Sequence, residues 1–355
     1  MSRQALDTPT REILRPQAVV ADKYRLESLL AEGGMGSVWV ATNLVLEKPV
    51  AIKVLHANMR NDLAEARLLR EARAAAQIGH SNIVQVFDFG HIHTGEPFIV
   101  MELLRGEDLG ARLTRVGRLS AIEAVKLVLP VTSALAAGHA KGIVHRDMKP
   151  GNIFIAVDDF GNETPKVVDF GIAKVQTPRH TPKLTMEGRG VGSPEYLSPE
   201  QARGDDDLDA TTDIWALCVT LYEAVTGDLP FHDENYNRLL RHIIEEQPRP
   251  ITDYAAGDAA LWGIISRGMA KHRRGRWASM EERIGKPNAF RKSRERRMTS
   301  PSRGEAHSPR NRRGSKLRGA VGRRTRAWPR RRAADNPVRF VAFGYATDIT
   351  GSRSS

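Results

Sequence analysis

Residues 145–152 read His145-Arg146-Asp147-Met148-Lys149-Pro150-Gly151-Asn152, and Asp169-Phe170-Gly171 follows a short way downstream. The first run places a carboxylate, a lysine and an amide within one short loop. Transfer of a phosphoryl group needs such side chains: a carboxylate to orient and deprotonate an attacking hydroxyl, a cation near the moving phosphate, and oxygen ligands for magnesium. A polar β-turn would explain any one of these residues, but it does not explain their combination with the second motif.

The length and composition limit the classes of protein to which this chain can belong. The 355 residues are enough for one large or two modest domains, and 41% hydrophobic residues are enough for a buried core. The single cysteine, Cys218, excludes an internal disulfide framework. Residues 1–22 are polar and lack the apolar stretch of a signal peptide, and no apolar run is long enough to predict a membrane span. We therefore expect a cytoplasmic protein without a membrane span.

The net charge of +12 is unevenly distributed. Residues 286–355 contain 20 Lys/Arg against 4 Asp/Glu, whereas the rest of the chain contains 34 basic and 38 acidic side chains. The first part is therefore mildly acidic, and the tail carries all of the basicity.

Two motifs precede the loop at 145–152. A glycine-rich turn follows a predicted strand and reads Ala31-Glu32-Gly33-Gly34-Met35-Gly36-Ser37-Val38. An apolar strand with one lysine reads Val50-Ala51-Ile52-Lys53-Val54. Alone, the first would be a plain hairpin and the second an edge strand with a solvated lysine. Together they are typical of a site where backbone amides approach phosphates and a lysine holds the nucleotide.

With these four motifs the chain resembles the eukaryotic-type Ser/Thr protein kinases, in particular the bacterial receptor-kinase branch. The resemblance implies an α+β, bilobal protein-kinase fold, with a small antiparallel-sheet N-lobe and a mainly helical C-lobe. It implies transfer of the γ-phosphoryl group of ATP to Ser/Thr hydroxyls of protein substrates. ATP would bind in the cleft with Mg²⁺, or with Mn²⁺ in its place.

The resemblance also implies roles for individual residues. Asp147 would be the catalytic base, Lys149 would neutralise charge on the phosphoryl group, and Asn152 and Asp169 would hold the metal. Lys53 would grip the nucleotide. Its predicted partner is Glu71, in a Leu-Arg-Glu-Ala context before the turn at 80–84.

A second glutamate on the same predicted helix, Glu65, is interpreted as a solvated charge, because no basic residue follows it at helical spacing. The predicted nucleotide site comprises Ala31, Gly33, Gly36, Val38, Ala51, Lys53, Met101, Glu102 and Leu104. Glu102 and Leu104 would act through their backbones, and their side chains are interpreted as packing. Ala31 replaces the first glycine of the family pattern, which is expected to stiffen the loop or weaken nucleotide binding.

The segment between Asp169 and Glu200 is typical of an activation segment. Arg146 would await a phosphate there, and Thr185 occupies one family phosphosite. Glu187 stands at the second site. We hypothesise that it substitutes in part for a phosphate, with a solvated loop glutamate as the alternative.

Three residues would support the C-lobe. Asp213 would tie to the backbone of the loop at 145–152, and Glu200 would pair with Arg276. Cys218, on the helix after Asp213, is expected to be a buried, unreactive thiol.

The pattern of apolar residues predicts the elements coarsely. Helices are expected at 63–78, 109–113, 122–140 and 261–270, and strands at 24–30, 50–54, 83–89, 97–103 and 142–144. The domain prediction is a flexible N-terminal segment at 1–22, a kinase domain at 23–285 and a basic, disordered tail at 286–355. The N-lobe would cover about 23–104 and the C-lobe about 105–285.

The tail has three interpretations: an inert solvated segment, an electrostatic arm for nucleic acid or anionic surfaces, or the product of a reading-frame shift. The abrupt change of composition inside an expected last helix favours the third. Alternatives to an active kinase are a pseudokinase scaffold and a kinase impaired by the disruption of that helix. A homodimer for autophosphorylation of the activation segment is a further expectation.

Overall fold

The computed structural model describes residues 14–33, 36–56, 62–169 and 193–280, apart from the side chains at 62–64 and 67. All of these residues belong to one unit of the chain. Within it, a sheet with one helix is followed by a second part that is mainly helical. This order matches the predicted order of an N-lobe and a C-lobe.

The N-lobe is built on a six-stranded antiparallel sheet. Its strands are β1 (Val19–Val20), β2 (Tyr24–Gly33), β3 (Gly36–Asn43), β4 (Lys48–Leu55), β5 (Val86–His91) and β6 (Pro97–Glu102), in the spatial order β1-β2-β3-β4-β6-β5. Successive side chains of a strand point to opposite faces. Strand β4 therefore sends Val50, Ile52 and Val54 to one apolar cluster, while Ala51 and Lys53 lie on the opposite face.

Helix α1 (Asp62–Ile78) packs on the face of the sheet that carries Lys53. Leu68 and Ala72 of α1 join Ala51 and Ile99 of the strands in one buried cluster. This packing places the polar side of α1, with Glu71, next to the lysine of β4.

The described part of the C-lobe contains six α-helices and a small sheet. The helices are α2 (Leu109–Val116), α3 (Ala121–His139), α4 (Pro199–Arg203), α5 (Ala210–Thr226), α6 (Tyr236–Glu245) and α7 (Ala259–Gly268). The sheet is antiparallel, in the order β7 (Gly106–Asp108), β8 (Ile153–Val157) and β9 (Glu163–Val167). Helix α5 runs through the core, where Trp215 and Leu217 are fully buried.

Local signals explain where several of these helices begin and end. Ser120 and Glu123 form a reciprocal capping box at the start of α3, and Ser198 forms one with Gln201 at the start of α4. Asp209 caps α5 at its N-terminus, and Gly227 ends it in the left-handed conformation that glycine adopts at low cost.

One described helix, α3, has the length and apolar composition of a membrane span. Its residues Val131, Ala134 and Leu135 are fully buried in the core of the C-lobe. The same apolar residues that give α3 its composition are thus used to pack this lobe.

The predicted strand at 142–144 is wrong. Gly142 has φ +72°, its N–H donates to His139 O, and the N–H of Ile143 donates to Gly138 O. These residues close the end of α3, because the last carbonyls of a helix need donors from the residues that follow it. The strand expected from residue 83 begins at Val86, and Ile83 forms only a single parallel bridge to Val167.

Candidate active site

Three charged side chains meet where β4, α1 and the end of β9 come together. Lys53 Nζ lies 3.2 Å from Glu71 Oε1 and 2.8 Å from Asp169 Oδ1. The three side chains are 14%, 23% and 25% exposed, so solvent screens their interactions only partly. One lysine is thus shared by two carboxylates that lie far apart in the chain.

Sharing one cation separates the proton affinities of the two acids. Burial raises the pKa of Glu71 to about 8, against the opposing effect of Lys53. Burial acts in the same direction on Asp169, but the closer Lys53 holds the pKa of that carboxyl below its usual value. Asp169 is therefore the carboxylate that stays ionised, as a ligand for a cation must.

The loop at 145–152 brings together the other predicted catalytic side chains. Lys149 Nζ lies 3.2 Å from Asp147 Oδ2. The side-chain amide of Asn152 donates to the backbone oxygen of Asp147 at 2.6 Å, and it lies 3.4 Å from Asp147 Oδ2. This loop therefore fixes its carboxylate, cation and amide against one another.

His145 connects this loop to the segment that carries Asp169. Its Nδ1 accepts the N–H of Asp147 at 3.3 Å, so its Nε2 is the donor to Val168 O at 3.1 Å. Burial lowers the pKa of His145, which favours this neutral form. In addition, the N–H of Val168 donates to Asn152 O at 3.0 Å. Asp169 is thereby held next to the loop that carries Asp147.

Asp213 supports the loop at 145–152 through hydrogen bonds to its backbone. Its carboxylate is fully buried and accepts the N–H of His145 at 2.8 Å and that of Arg146 at 2.7 Å, as well as a 2.7 Å bond with His139 Nε2. Arg146 has φ +66°, a conformation that is costly for a residue with a side chain. The bonds to Asp213 stabilise that strained backbone.

Asn152 and Asp169 have the donor atoms that a hard divalent cation prefers. The amide nitrogen of Asn152 is a donor within the loop, so the amide oxygen is the atom of this side chain that could bind a metal. Asp169 contributes a carboxylate that binds Lys53 through Oδ1. In the described ranges, no group of three or more His, Cys, Asp or Glu could hold a metal ion.

The predicted nucleotide-binding residues lie on neighbouring strands of the N-lobe sheet. Ala31 pairs with Val38 across β2 and β3, and Ala51 pairs with Met101 across β4 and β6. Val38, Ala51 and Met101 belong to one buried apolar cluster, against which Leu104 also packs. Their side chains thus form an apolar surface beside Lys53, which suits a planar base.

Gly33 and Gly36 face each other at the end of the β2–β3 hairpin. A side chain at Gly36 would place its Cβ 2.2 Å from the backbone oxygen of Val54. Glycine is required at this position because β4 approaches so closely.

One residue near this surface was missed from the sequence, and the side chain of another was misinterpreted. Phe154, on β8 of the C-lobe, belongs to the same buried cluster as Val38, Ala51 and Met101, and it closes the apolar surface from the other lobe. Its position on the strand directly after Asn152 was the available signal. Glu102 was predicted to act through its backbone, and its side chain was interpreted as packing. Instead, it accepts bonds from Gln85 N and Lys166 Nζ, both at 2.7 Å.

The predicted pair of Glu200 and Arg276 is a bidentate ion pair. Arg276 Nη1 and Nη2 each donate to one Glu200 oxygen at 2.7 Å, and Thr212 Oγ1 adds a third bond at 2.9 Å. Burial acts to raise the pKa of Glu200, but the bonds from Arg276 lower it to about 2. The segment that contains Glu200 is tied back to the loop because Gln201 Nε2 donates to Arg146 O at 2.8 Å.

Three further predictions have different outcomes. Glu65, expected as a solvated charge, has a partner from another element: His91 Nε2 of β5 lies 2.9 Å from Glu65 Oε1. Thr185 and Glu187 lie outside the described residues. Cys218 is buried, and burial raises the pKa of its thiol to about 12, so it is unreactive as expected.

Fold and site together define a bilobal kinase, and the comparison with known proteins gives the same class. The family model for the protein kinase domain matches residues 24–270. The chain belongs to the protein kinase family.

Several relatives and solved structures resemble it. Over 294 residues, the chain is 41% identical to serine/threonine-protein kinase pkn3 of Myxococcus xanthus, covering 81% of this chain and 53% of that protein. It is 36% identical to the probable serine/threonine-protein kinase PknB of Corynebacterium glutamicum, covering 74% and 41%. The crystal structure of the Mycobacterium tuberculosis PknI kinase domain superposes with a TM-score of 0.60 at 26% identity, covering 79% and 99%.

The chain therefore spans only about half the length of the curated relatives. The predicted resemblance to bacterial Ser/Thr protein kinases and the predicted bilobal fold are confirmed.

Proposed function

We propose that this chain transfers the γ-phosphoryl group of ATP to Ser/Thr hydroxyls of protein substrates and of its own activation segment. The observation that carries the proposal is the contact of Lys53 with both Glu71 and Asp169, next to the loop of Asp147.

In the proposed reaction, Asp147 orients the acceptor hydroxyl and takes its proton as the oxygen attacks the γ-phosphorus. A new oxygen–phosphorus bond forms, the bond to the β-phosphate oxygen breaks, and ADP leaves. Lys149 stabilises the charge that develops on the phosphoryl group, because its ammonium lies beside the carboxylate that holds the acceptor. A divalent cation held by Asn152 and Asp169 would supply positive charge that offsets the charge of the phosphates.

Lys53 would hold the phosphates of ATP, with Glu71 fixing the lysine. Asn152 and Asp169 would provide the protein ligands of the metal. The purine would lie on the apolar surface of Val38, Ala51, Met101 and Phe154. Its edge would face the backbones of Glu102 and Leu104, and the hairpin with Ala31, Gly33 and Gly36 would cover the phosphates.

Regulation is proposed to involve Arg146. Among the described residues, its buried Nε has no hydrogen-bond partner, which suits a guanidinium that binds a phosphate on the activation segment. Thr185 would carry that phosphate, and Glu187 would supply part of its charge. Asp213, Glu200 and Arg276 would be structural supports, as their burial suggests.

We further propose that residues 23–285 form the catalytic domain, with the lobes dividing near residue 104. The domain would work in the cytoplasm, where ATP is available and the lone thiol of Cys218 stays reduced. Transient homodimers would allow one copy to phosphorylate the activation segment of another.

The test is a transfer assay with radiolabelled ATP, Mg²⁺ and a generic protein acceptor. Asp147→Asn is expected to lower the rate by about 10²–10⁴-fold, because the positioned base is lost. Binding of a fluorescent ATP analogue should persist, and acid hydrolysis of the product should release phosphoserine and phosphothreonine.

The matched control is Asp159→Asn, which makes the same change at an exposed hairpin tip and should leave the rate unchanged. A wild-type protein that labels neither itself nor the acceptor would contradict the proposal, as would equal rates for Asp147→Asn and wild type.

A further inference from the structure

A network of backbone and side-chain hydrogen bonds joins three segments next to the proposed nucleotide site. We call it the rear tie and define it by Gln85, Glu102 and Lys166. Gln85 lies in the turn after α1, Glu102 ends β6, and Lys166 lies on β9. These residues come from three separate parts of the sequence, so the tie exists only in the folded chain.

Glu102 is the centre of the rear tie. Its N–H donates to Gln85 O at 2.9 Å, and its Oε1 accepts the N–H of Gln85 at 2.7 Å. The same Oε1 accepts Lys166 Nζ at 2.7 Å. The side chains of Glu102 and Lys166 are 20% and 13% exposed, so their ion pair is better shielded than a surface pair.

A neighbouring set of bonds holds β9 from the other side. Asn82 Nδ2 donates to Pro165 O at 2.8 Å, the N–H of Val167 donates to Asn82 O at 2.8 Å, and the N–H of Val84 donates to Val167 O at 3.0 Å. The turn at 82–85 is therefore bonded both to β9 and to the end of β6.

Each of the three segments leads directly to a part of the active site. The turn at 82–85 follows the helix that carries Glu71, and Glu102 follows Met101 of the apolar surface. Lys166 precedes Asp169 by three residues. A relative movement of these segments would change the distance between the purine surface and the proposed metal ligand.

We propose that Glu102 and Lys166 are positioning residues that set the affinity for ATP. By holding β6 against β9, the rear tie fixes the distance between the apolar surface for the base and the carboxylate of Asp169. This inference rests on the proposed function, since it assigns the tie a role in binding the same nucleotide. The loop of Asp147 is held separately by Asp213, so the tie affects nucleotide binding more than the transfer step.

The experiment compares Lys166→Met with wild type in two measurements. The first is steady-state kinetics at varied ATP: KM should rise about tenfold, because small misplacements of binding groups are costly, while kcat changes less. The second is hydrogen exchange of the nucleotide-free protein, in which the amides of residues 100–104 and 165–168 should exchange faster.

Two further variants test the role of the charges. Lys166→Arg keeps the cation and should restore both KM and the exchange rates toward wild type. Glu102→Gln keeps the acceptor but removes the charge, so it should show a smaller rise in KM.

The matched control is Lys23→Met, which breaks a 3.0 Å ion pair with Asp88 elsewhere in the N-lobe. It should leave KM and both exchange regions unchanged. The inference is overturned if Lys166→Met alters KM no more than this control, or if it lowers only the melting temperature. If wild type transfers no phosphate, the proposed function fails, and titration with the fluorescent ATP analogue decides on the tie: weaker binding by Lys166→Met than by the control supports it, and equal binding overturns it.

Discussion

Both carboxylate oxygens of Asp213 are used by the loop that carries Asp147. Oδ2 accepts the N–H of His145 and bonds His139, and Oδ1 accepts the N–H of Arg146. Hydrogen bonds to a buried charge are worth roughly 1.5–3 kcal/mol each, whereas a strained φ costs about 1–3 kcal/mol. The bonds to Asp213 are therefore large enough to hold Arg146 at φ +66°.

We predict that Asp213→Asn lowers the free energy of unfolding by about 3 kcal/mol, because the amide nitrogen would replace one acceptor oxygen and face a buried backbone N–H donor. The transfer rate should fall about 100-fold as the loop loses its position. Urea unfolding and kcat are the measurements.

Asp209→Asn on the same helix is the matched control for that change. Asp209 caps α5 by accepting the N–H of Thr211 at 2.8 Å, and asparagine caps helices equally well. If both variants lose the same stability, the special role of Asp213 is refuted.

For an individual side chain, the sequence predicts the bonding partner only when a motif or a helical spacing identifies it. The motifs led to the choice of Glu71 over Glu65 for Lys53. Nothing in the sequence connects Glu65 to His91 or Glu102 to Lys166, because the partners lie on other elements and their contacts depend on strand register. The missed contacts are accordingly all long-range in sequence.

Helix α1, which carries Glu71, is held near both ends by other elements. Glu65, near its start, pairs with His91 of β5. Its last turn contains no basic residue, but Lys141 Nζ donates to Gln77 O at 2.6 Å and to Ile78 O at 3.3 Å. A lysine from the C-lobe thus satisfies the carbonyl end of an N-lobe helix.

We predict that Lys141→Met destabilises the end of α1 by about 0.5–1 kcal/mol, since a cation at the negative end of the helix dipole and two hydrogen bonds are lost. Hydrogen exchange of the amides at 72–79 should accelerate, and Lys141→Arg should largely prevent this. Unchanged exchange in Lys141→Met would show that packing alone holds the helix.

Element boundaries were predictable where capping residues mark them and not where tertiary contacts decide. The start of α3 at Ala121 follows from Ser120 and Glu123, and the predicted start was one residue away. The apolar stretch at 142–144 looked like a strand, yet its backbone N–H groups serve the end of α3. Local apolar content could not distinguish the two, because short apolar runs occur both in strands and next to helix ends.

For the whole molecule, the family resemblance predicted the two lobes and the segments that meet between them. The described residues end at 280, so the interpretation of the tail from 286 and of the last helix stays a prediction. The pair of Glu200 and Arg276 is the last long-range contact that the sequence predicted. It joins the segment before α5 to the turn after α7 and is almost completely buried.

Because of this pair, the free energy of unfolding should depend on pH in the acid range. The pKa of Glu200 is about 2 in the folded chain, below its ordinary value of 4.5. A carboxyl with a lowered pKa stabilises the fold above its unfolded pKa, and this contribution is lost as pH falls through the folded value. We expect a loss of roughly 3 kcal/mol between about pH 4.5 and 2, since one pKa unit corresponds to about 1.4 kcal/mol.

Glu200→Gln separates this contribution from that of other carboxyl groups. At neutral pH the variant should be less stable by about 3–5 kcal/mol, because Arg276 keeps a buried charge without its partner. Between pH 4.5 and 2 its unfolding free energy should fall less steeply than that of wild type, and the difference between the two urea-unfolding curves should shrink with acid. Glu234→Gln, at an exposed position, should follow wild type throughout. A constant difference between Glu200→Gln and wild type across this range would mean that the bidentate bond does not control the titration of Glu200.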